Sequence, residues 1–188
     1  MKTVFRSIAF AGCFGLLTIV ATAQQVVHAL TGTVSSIDNA TKTISVFQDN
    51  GEQGEFSDAT NARVHLAIDK KIVLDTTAAD AFKKTGAYVI VFYYGHDSDR
   101  SAVAFKNLGA GPFTSSTGTV VKFEGKRSIE VADSSGATQI FKLTPETIAE
   151  GYMGAVDGFK ISAQKGDKVR VVASGEKGSA TALFVRFM

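Results

Sequence analysis

Residues equipped for chemistry are sparse in this chain. The three histidines, His28, His65 and His96, are far apart, and no H-E-x-x-H, C-x-x-C or G-x-S-x-G motif occurs. The densest group of potential ligands is His96-Asp97-Ser98-Asp99, where two carboxylates beside an imidazole could hold a hard or borderline cation. Metal sites draw on three or four converging ligands, however. The corresponding stretch further along is Ser174-Gly175-Glu176-Lys177-Gly178, so the segment reads as the polar tip of a hairpin, and no metal or cofactor is assigned. His65, in Arg63-Val64-His65-Leu66, reads as a residue on the wet face of a strand. His28 falls in a segment expected to be flexible, ahead of the first strand.

A second unusual feature is aromatic. In the strand Ala87–Tyr94 one parity carries Tyr88, Ile90, Phe92 and Tyr94, and a solvated face does not present four large apolar residues in a row. Three covers are open: another part of the chain, an identical subunit, or a ligand that stacks on aromatic rings. Tyr88, Phe92 and Tyr94 are therefore the candidate binding residues.

The elements that position these residues come as an internal repeat. Thr31-Gly32-Thr33-Val34 returns as Thr117-Gly118-Thr119-Val120, and Lys42-Thr43-Ile44-Ser45-Val46 as Arg127-Ser128-Ile129-Glu130-Val131. Asp49-Asn50-Gly51 matches Asp133-Ser134-Ser135-Gly136, each followed by a strand ending at Phe56 or Phe141. Lys84-Thr85-Gly86-Ala87-Tyr88-Val89-Ile90-Val91 matches Gln164-Lys165-Gly166-Asp167-Lys168-Val169-Arg170-Val171, and Ser101–Phe105 matches Ser179–Leu183. The order is kept while the loops shrink.

Alternation of apolar and polar residues makes each block a strand with one buried face. Gly51 and Gly136 sit at hairpin tips. Thr77–Lys84 reads as a short helix stopped by Gly86, and Thr144-Pro145-Glu146-Thr147 as the start of a matching helical turn. The Gly- and Ser-rich stretch around Pro112 reads as a linker. The expectation is an all-β protein of two tandem five-stranded OB-like or related barrels, each with a short helical turn: residues 24–108, a linker 109–116, and residues 117–188.

The N-terminus reads as a secretory signal over residues 1–23. Lys2 and Arg6 precede an uncharged apolar run, and Ala21-Thr22-Ala23 supplies small residues for cleavage before Gln24. Cys13 lies inside that run and reads as an apolar filler, so the mature chain has no thiol. With 20 Lys+Arg against 18 Asp+Glu, loss of Lys2 and Arg6 leaves equal numbers of each sign. That balance and an exported location both disfavour nucleic acid as a partner. Periplasmic or secreted residence, free of the membrane after cleavage, is the expectation.

The G-T-V opening, the [S/T]-I-x-V strand, the D-x-G hairpin and the K-x-G-x-x-V-x-V strand together resemble small exported bacterial β-barrel repeat domains of unknown function. The resemblance spans nearly all of residues 30–187, and it brings no catalytic residues with it. The functional expectation is a non-enzymatic binding or interaction module with an unknown protein or envelope ligand. A small enzyme acting on cell-envelope polymers and a purely structural assembly subunit stand as alternatives.

Overall fold

Period-2 hydrophobic patterning places a strand at almost every apolar stretch of the structure, a computed structural model that describes residues 24–59, 66–67, 72 and 84–188. The first copy contains β1 (Gln25–Val26), β2 (His28–Asp38), β3 (Thr43–Gln48), β4 (Gln53–Asp58), β5 (Leu66–Ala67), β6 (Tyr88–Tyr94) and β7 (Ser101–Gly109). The second contains β8 (Phe113–Phe123), β9 (Ser128–Ala132), β10 (Thr138–Lys142), β11 (Ile148–Gly151), β12 (Gly154–Asp157), a 3-10 turn (Gly158–Lys160), β13 (Lys168–Ser174) and β14 (Thr181–Phe187). No helix among the described residues is long and apolar enough to cross a membrane.

In the first copy β2-β3-β4-β7-β6 close into a five-stranded barrel. All its neighbours are antiparallel except β4 and β7, which run parallel at Ser57–Ser101 and Asp58–Ala102. The second copy repeats this order as β10-β9-β8-β13-β14, with the equivalent parallel contact at Lys142–Thr181. It adds the β11–β12 hairpin, which pairs parallel to β14. The architecture is the all-β pair of tandem units expected from the sequence.

The repeated residues do the same work in both copies. The first strand of each bulges after the repeated Val, between Val34 and Ser36 and between Val120 and Lys122. A Cβ on Gly32 would meet the Phe47 carbonyl oxygen, and one on Gly118 the Ala132 carbonyl oxygen. The Thr-Gly-Thr-Val motif therefore keeps its glycine because the neighbouring backbone occupies that space. Gly86 and Gly166 both have positive φ and donate to the carbonyls of Val34 and Val120, at 2.8 and 2.9 Å.

Three apolar clusters follow from the alternation. Leu30, Val34, Ile44, Phe56, Val89, Val91 and Phe105 fill the first barrel. Val120, Ile129, Phe141, Val169, Val171 and Val185 occupy the corresponding places in the second. Between the barrels, Ala29, Ile90, Phe92 and Ala104 pack with Ile148, Ala155, Val172 and Phe184.

Four sequence expectations are corrected. Most of the expected linker is strand, since β7 runs through Gly109 and β8 begins at Phe113; Thr114, Ser115 and Ser116 pair with β13 despite their polar side chains. No helix starts at Thr144. The Thr147 N–H donates to the Thr144 carbonyl to form a turn, and Ile148–Gly151 then joins the sheet beside β14. The closing blocks align two residues later than their Ser-Ala similarity suggests: Ala102 stands opposite Tyr93 as Ala182 stands opposite Ala173, each next to an equivalent bulge. His28 opens β2 and is not in a flexible lead-in. The expected helix at Thr77–Lys84 (except Lys84), His65 and the signal segment lie outside the described residues.

Candidate functional site

The strand Tyr88–Tyr94 points alternate residues to two different destinations. Ile90 and Phe92 enter the inter-barrel cluster, so the second copy of the chain covers this face. Phe92 is 2% exposed and presents no surface to a ligand, which removes it from the expected binding set. Tyr88 is half-buried against Phe113, ring centroids 5.1 Å apart. Its hydroxyl donates to Asp49 Oδ2 at 2.6 Å, an oxygen that also accepts from Thr31 Oγ1 at 2.5 Å. Burial, and then the Asp49 carboxylate, raise the Tyr88 pKa well above the ordinary phenol range. Tyr88 thus braces the β3–β4 turn against β6. Tyr94 is half-buried at the edge of the inter-barrel cluster.

The opposite parity of the strand leads to the site that sequence reasoning missed. Val89 and Val91 point into the first barrel, and Tyr93 follows them to its mouth. There Tyr93 stands opposite His28 in the β2–β6 register, their ring centroids 5.7 Å apart. The Tyr93 ring meets Phe56 edge-on at 5.3 Å. Arg100, just before β7, lays its guanidinium over Phe56 at 4.7 Å and near Tyr93 at 6.0 Å. Arg100 Nε is buried and has no hydrogen-bond partner among the described residues.

His28, Tyr93 and Arg100 form the floor of an open cleft of about 310 Å³, with Glu52, His96 and Asp97 on its exposed rim and Gly95 between. The His96–Asp99 segment is the β6–β7 turn, held by Asp99 N–H donating to the His96 carbonyl at 2.9 Å. It is the hairpin tip expected from the sequence, and it brings His96 within 6.0 Å of His28, centroid to centroid. Among the described residues no three His, Cys, Asp or Glu side chains are grouped to hold a metal ion.

The second copy contributes to this site from behind. Glu150, on β11, accepts at 2.7 Å from His28 Nδ1 through one carboxylate oxygen and at 2.7 Å from the Ala29 N–H through the other. Burial raises the Glu150 pKa above the usual carboxylate value, opposed by these two hydrogen bonds and by the charges of His28 and Arg186. A carboxylate on Nδ1 fixes the orientation of the imidazole and leaves Nε2 as the nitrogen available on the cleft side chain. The signal for Tyr93 was present in the alternation of Ala87–Tyr94, but its juxtaposition with His28 required the β2–β6 register.

A second hollow, of about 450 Å³, lies between the β11–β12 hairpin and the C-terminus. Tyr152 and Met153 at its hairpin tip are 92% and 88% exposed. It is the more apolar of the two, and Lys160, Ser162, Gln164, Asp167 and Lys168 supply its polar lining.

No protein-family model matches the chain, and no curated protein matches it.

Proposed function

We propose that this chain is an exported, non-enzymatic binding module of the periplasm or cell exterior, which receives its ligand in the cleft at the mouth of the first barrel. The observation that carries this reading is the convergence of His28, Tyr93 and Arg100 on one concave floor, with His28 oriented from the second barrel by Glu150. Pre-oriented polar groups lining a concavity are what small-ligand recognition requires. Binding is favoured over catalysis because the described residues lining the cleft include no serine, threonine or cysteine for His28 to activate. The carboxylates Glu52 and Asp97 stand on exposed turns, where water surrounds them.

The apolar leader and the Ala21-Thr22-Ala23 site support export. Sequencing of the N-terminus of protein recovered from an expressing bacterium tests this: Gln24 as first residue supports it, and membrane-retained protein beginning at Met1 overturns it. The binding reading is tested by thermal shift of the protein against envelope saccharides and divalent cations. A ligand at 100 times its dissociation constant adds about 2.7 kcal/mol of stability. A shift that His28→Ala removes is expected; a ligand whose shift survives that change acts elsewhere and overturns the placement.

A further inference from the structure

We propose that the cleft takes an acidic sugar, with the ligand's carboxylate on Arg100 and its hydroxyls on the rim. This rests on the binding reading above and specifies the chemistry of the same site. The argument begins with Arg100. Its guanidinium is held by the rings of Phe56 and Tyr93, and aromatic faces attract a cation without neutralising it. Among the described residues no carboxylate forms an ion pair with it, and its Nε is buried without a partner. Arg100 lines the cleft, and a guanidinium without a carboxylate partner there gains from an anionic acceptor brought in by a ligand. Arg presents its donors as a planar fork, the geometry that matches a carboxylate.

The rim limits the charge of that acceptor. Glu52 and Asp97 are exposed carboxylates bordering the same cleft. A dianion would be repelled by both, whereas a single negative charge set deep on Arg100 is separated from them by the width of the cleft and by solvent screening. The rim carboxylates are instead suited to accept hydrogen bonds from hydroxyl groups, and His28 Nε2 on the floor adds another polar partner. Glu52 already accepts from Asn50 Nδ2 at 2.7 Å and so keeps a fixed position. One carboxylate surrounded by several hydroxyls is the chemistry of a uronic acid. A volume of about 310 Å³ lies at the small end of ligand pockets and suits one sugar ring, whether free or at the end of a polymer.

Isothermal titration of the full chain with glucuronate, glucose and inorganic phosphate tests the proposal. Glucuronate is expected to bind at least ten times more tightly than glucose, and Arg100→Gln to abolish that preference. Glucose binding as tightly as glucuronate overturns the acidic-sugar assignment while leaving a binding module. Phosphate binding more tightly than glucuronate overturns the assignment in favour of a general anion site. Absence of binding by all three overturns the assignment as well, and the saccharide and cation screen described above then decides the broader reading separately. Should Arg100→Gln fail to fold, the glucuronate-to-glucose ratio of the unaltered protein decides alone. If glucuronate binds, comparing it with a glucuronate-terminated oligosaccharide separates the free sugar from a polymer end: a tighter oligosaccharide identifies the polymer, and equal affinity the single ring.

Discussion

Glu150 reaches out of the second barrel to hold His28 of the first at 2.7 Å, and it takes the Ala29 N–H with its other oxygen. The contact joins the two copies through a carboxylate that burial disfavours in its charged form. Because the folded-state pKa of Glu150 is raised, folding favours its protonated form. The associated stability is fully present below the unfolded carboxylate pKa and is lost as pH rises through the folded value. Glu150→Gln is neutral throughout and should gain stability relative to the unaltered protein as pH rises across that window. Urea unfolding of both proteins between pH 4 and 7 measures the difference; a difference independent of pH contradicts it.

Phe92 lies in the cluster between the barrels and is almost fully buried. Phe92→Ala should lower stability by about 3–5 kcal/mol, the usual cost of truncating a buried aromatic ring. Phe92→Asp should separate the barrels or aggregate the protein. Denaturation and size-exclusion chromatography read these outcomes, and a monodisperse Phe92→Asp protein of unchanged stability would refute the packing role.

Removing the Tyr88 hydroxyl leaves Asp49 with Thr31 as its side-chain partner. Tyr88→Phe should cost about 1.5–3 kcal/mol, the range for hydrogen bonds to a charged group. In the intact protein the raised phenol pKa means that this contribution persists through neutral pH and fades only in strong alkali. Equal stability of the two proteins at pH 7 would show that the bond contributes nothing net.

Gly32→Ala and Gly118→Ala should each destabilise their barrel by more than about 2 kcal/mol, since the added methyl meets a backbone oxygen that cannot swing aside. Hydrogen exchange localises the damage. Loss of protection confined to β2–β3 in one variant and to β8–β9 in the other is expected, and unaltered protection in both would contradict the steric account.

The duplication, the strand order and the inward faces were legible because each depends on local alternation and on turn glycines such as Gly51 and Gly136. The covered face of β6 was legible too: Tyr88, Ile90, Phe92 and Tyr94 stand where Lys168, Arg170, Val172 and Ser174 stand in the second copy. The cleft was not. His28, Tyr93 and Arg100 come together only through the β2–β6 pairing and the closure of β4 on β7, and nothing in a linear pattern encodes which long-range register will form. The β11–β12 hairpin was missed for another reason. Pro145 after Thr144 is equally at home in a helix start and in a turn, and pairing with β14 decided between them.

The inter-barrel cluster takes Ala29 from β2 and Ile90, Phe92 and Ala104 from β6 and β7 of one copy, and sets them against Val172 and Phe184 of β13 and β14 and against Ile148 and Ala155 of the β11–β12 hairpin of the other. Sizes are exchanged between them: Phe92 and Ala104 in the first correspond to Val172 and Phe184 in the second. The contact is one-sided, because the β11–β12 hairpin that the second copy adds packs on β2 of the first. Glu150 carries that one-sidedness to the cleft, reaching from β11 of the second copy to His28 of the first.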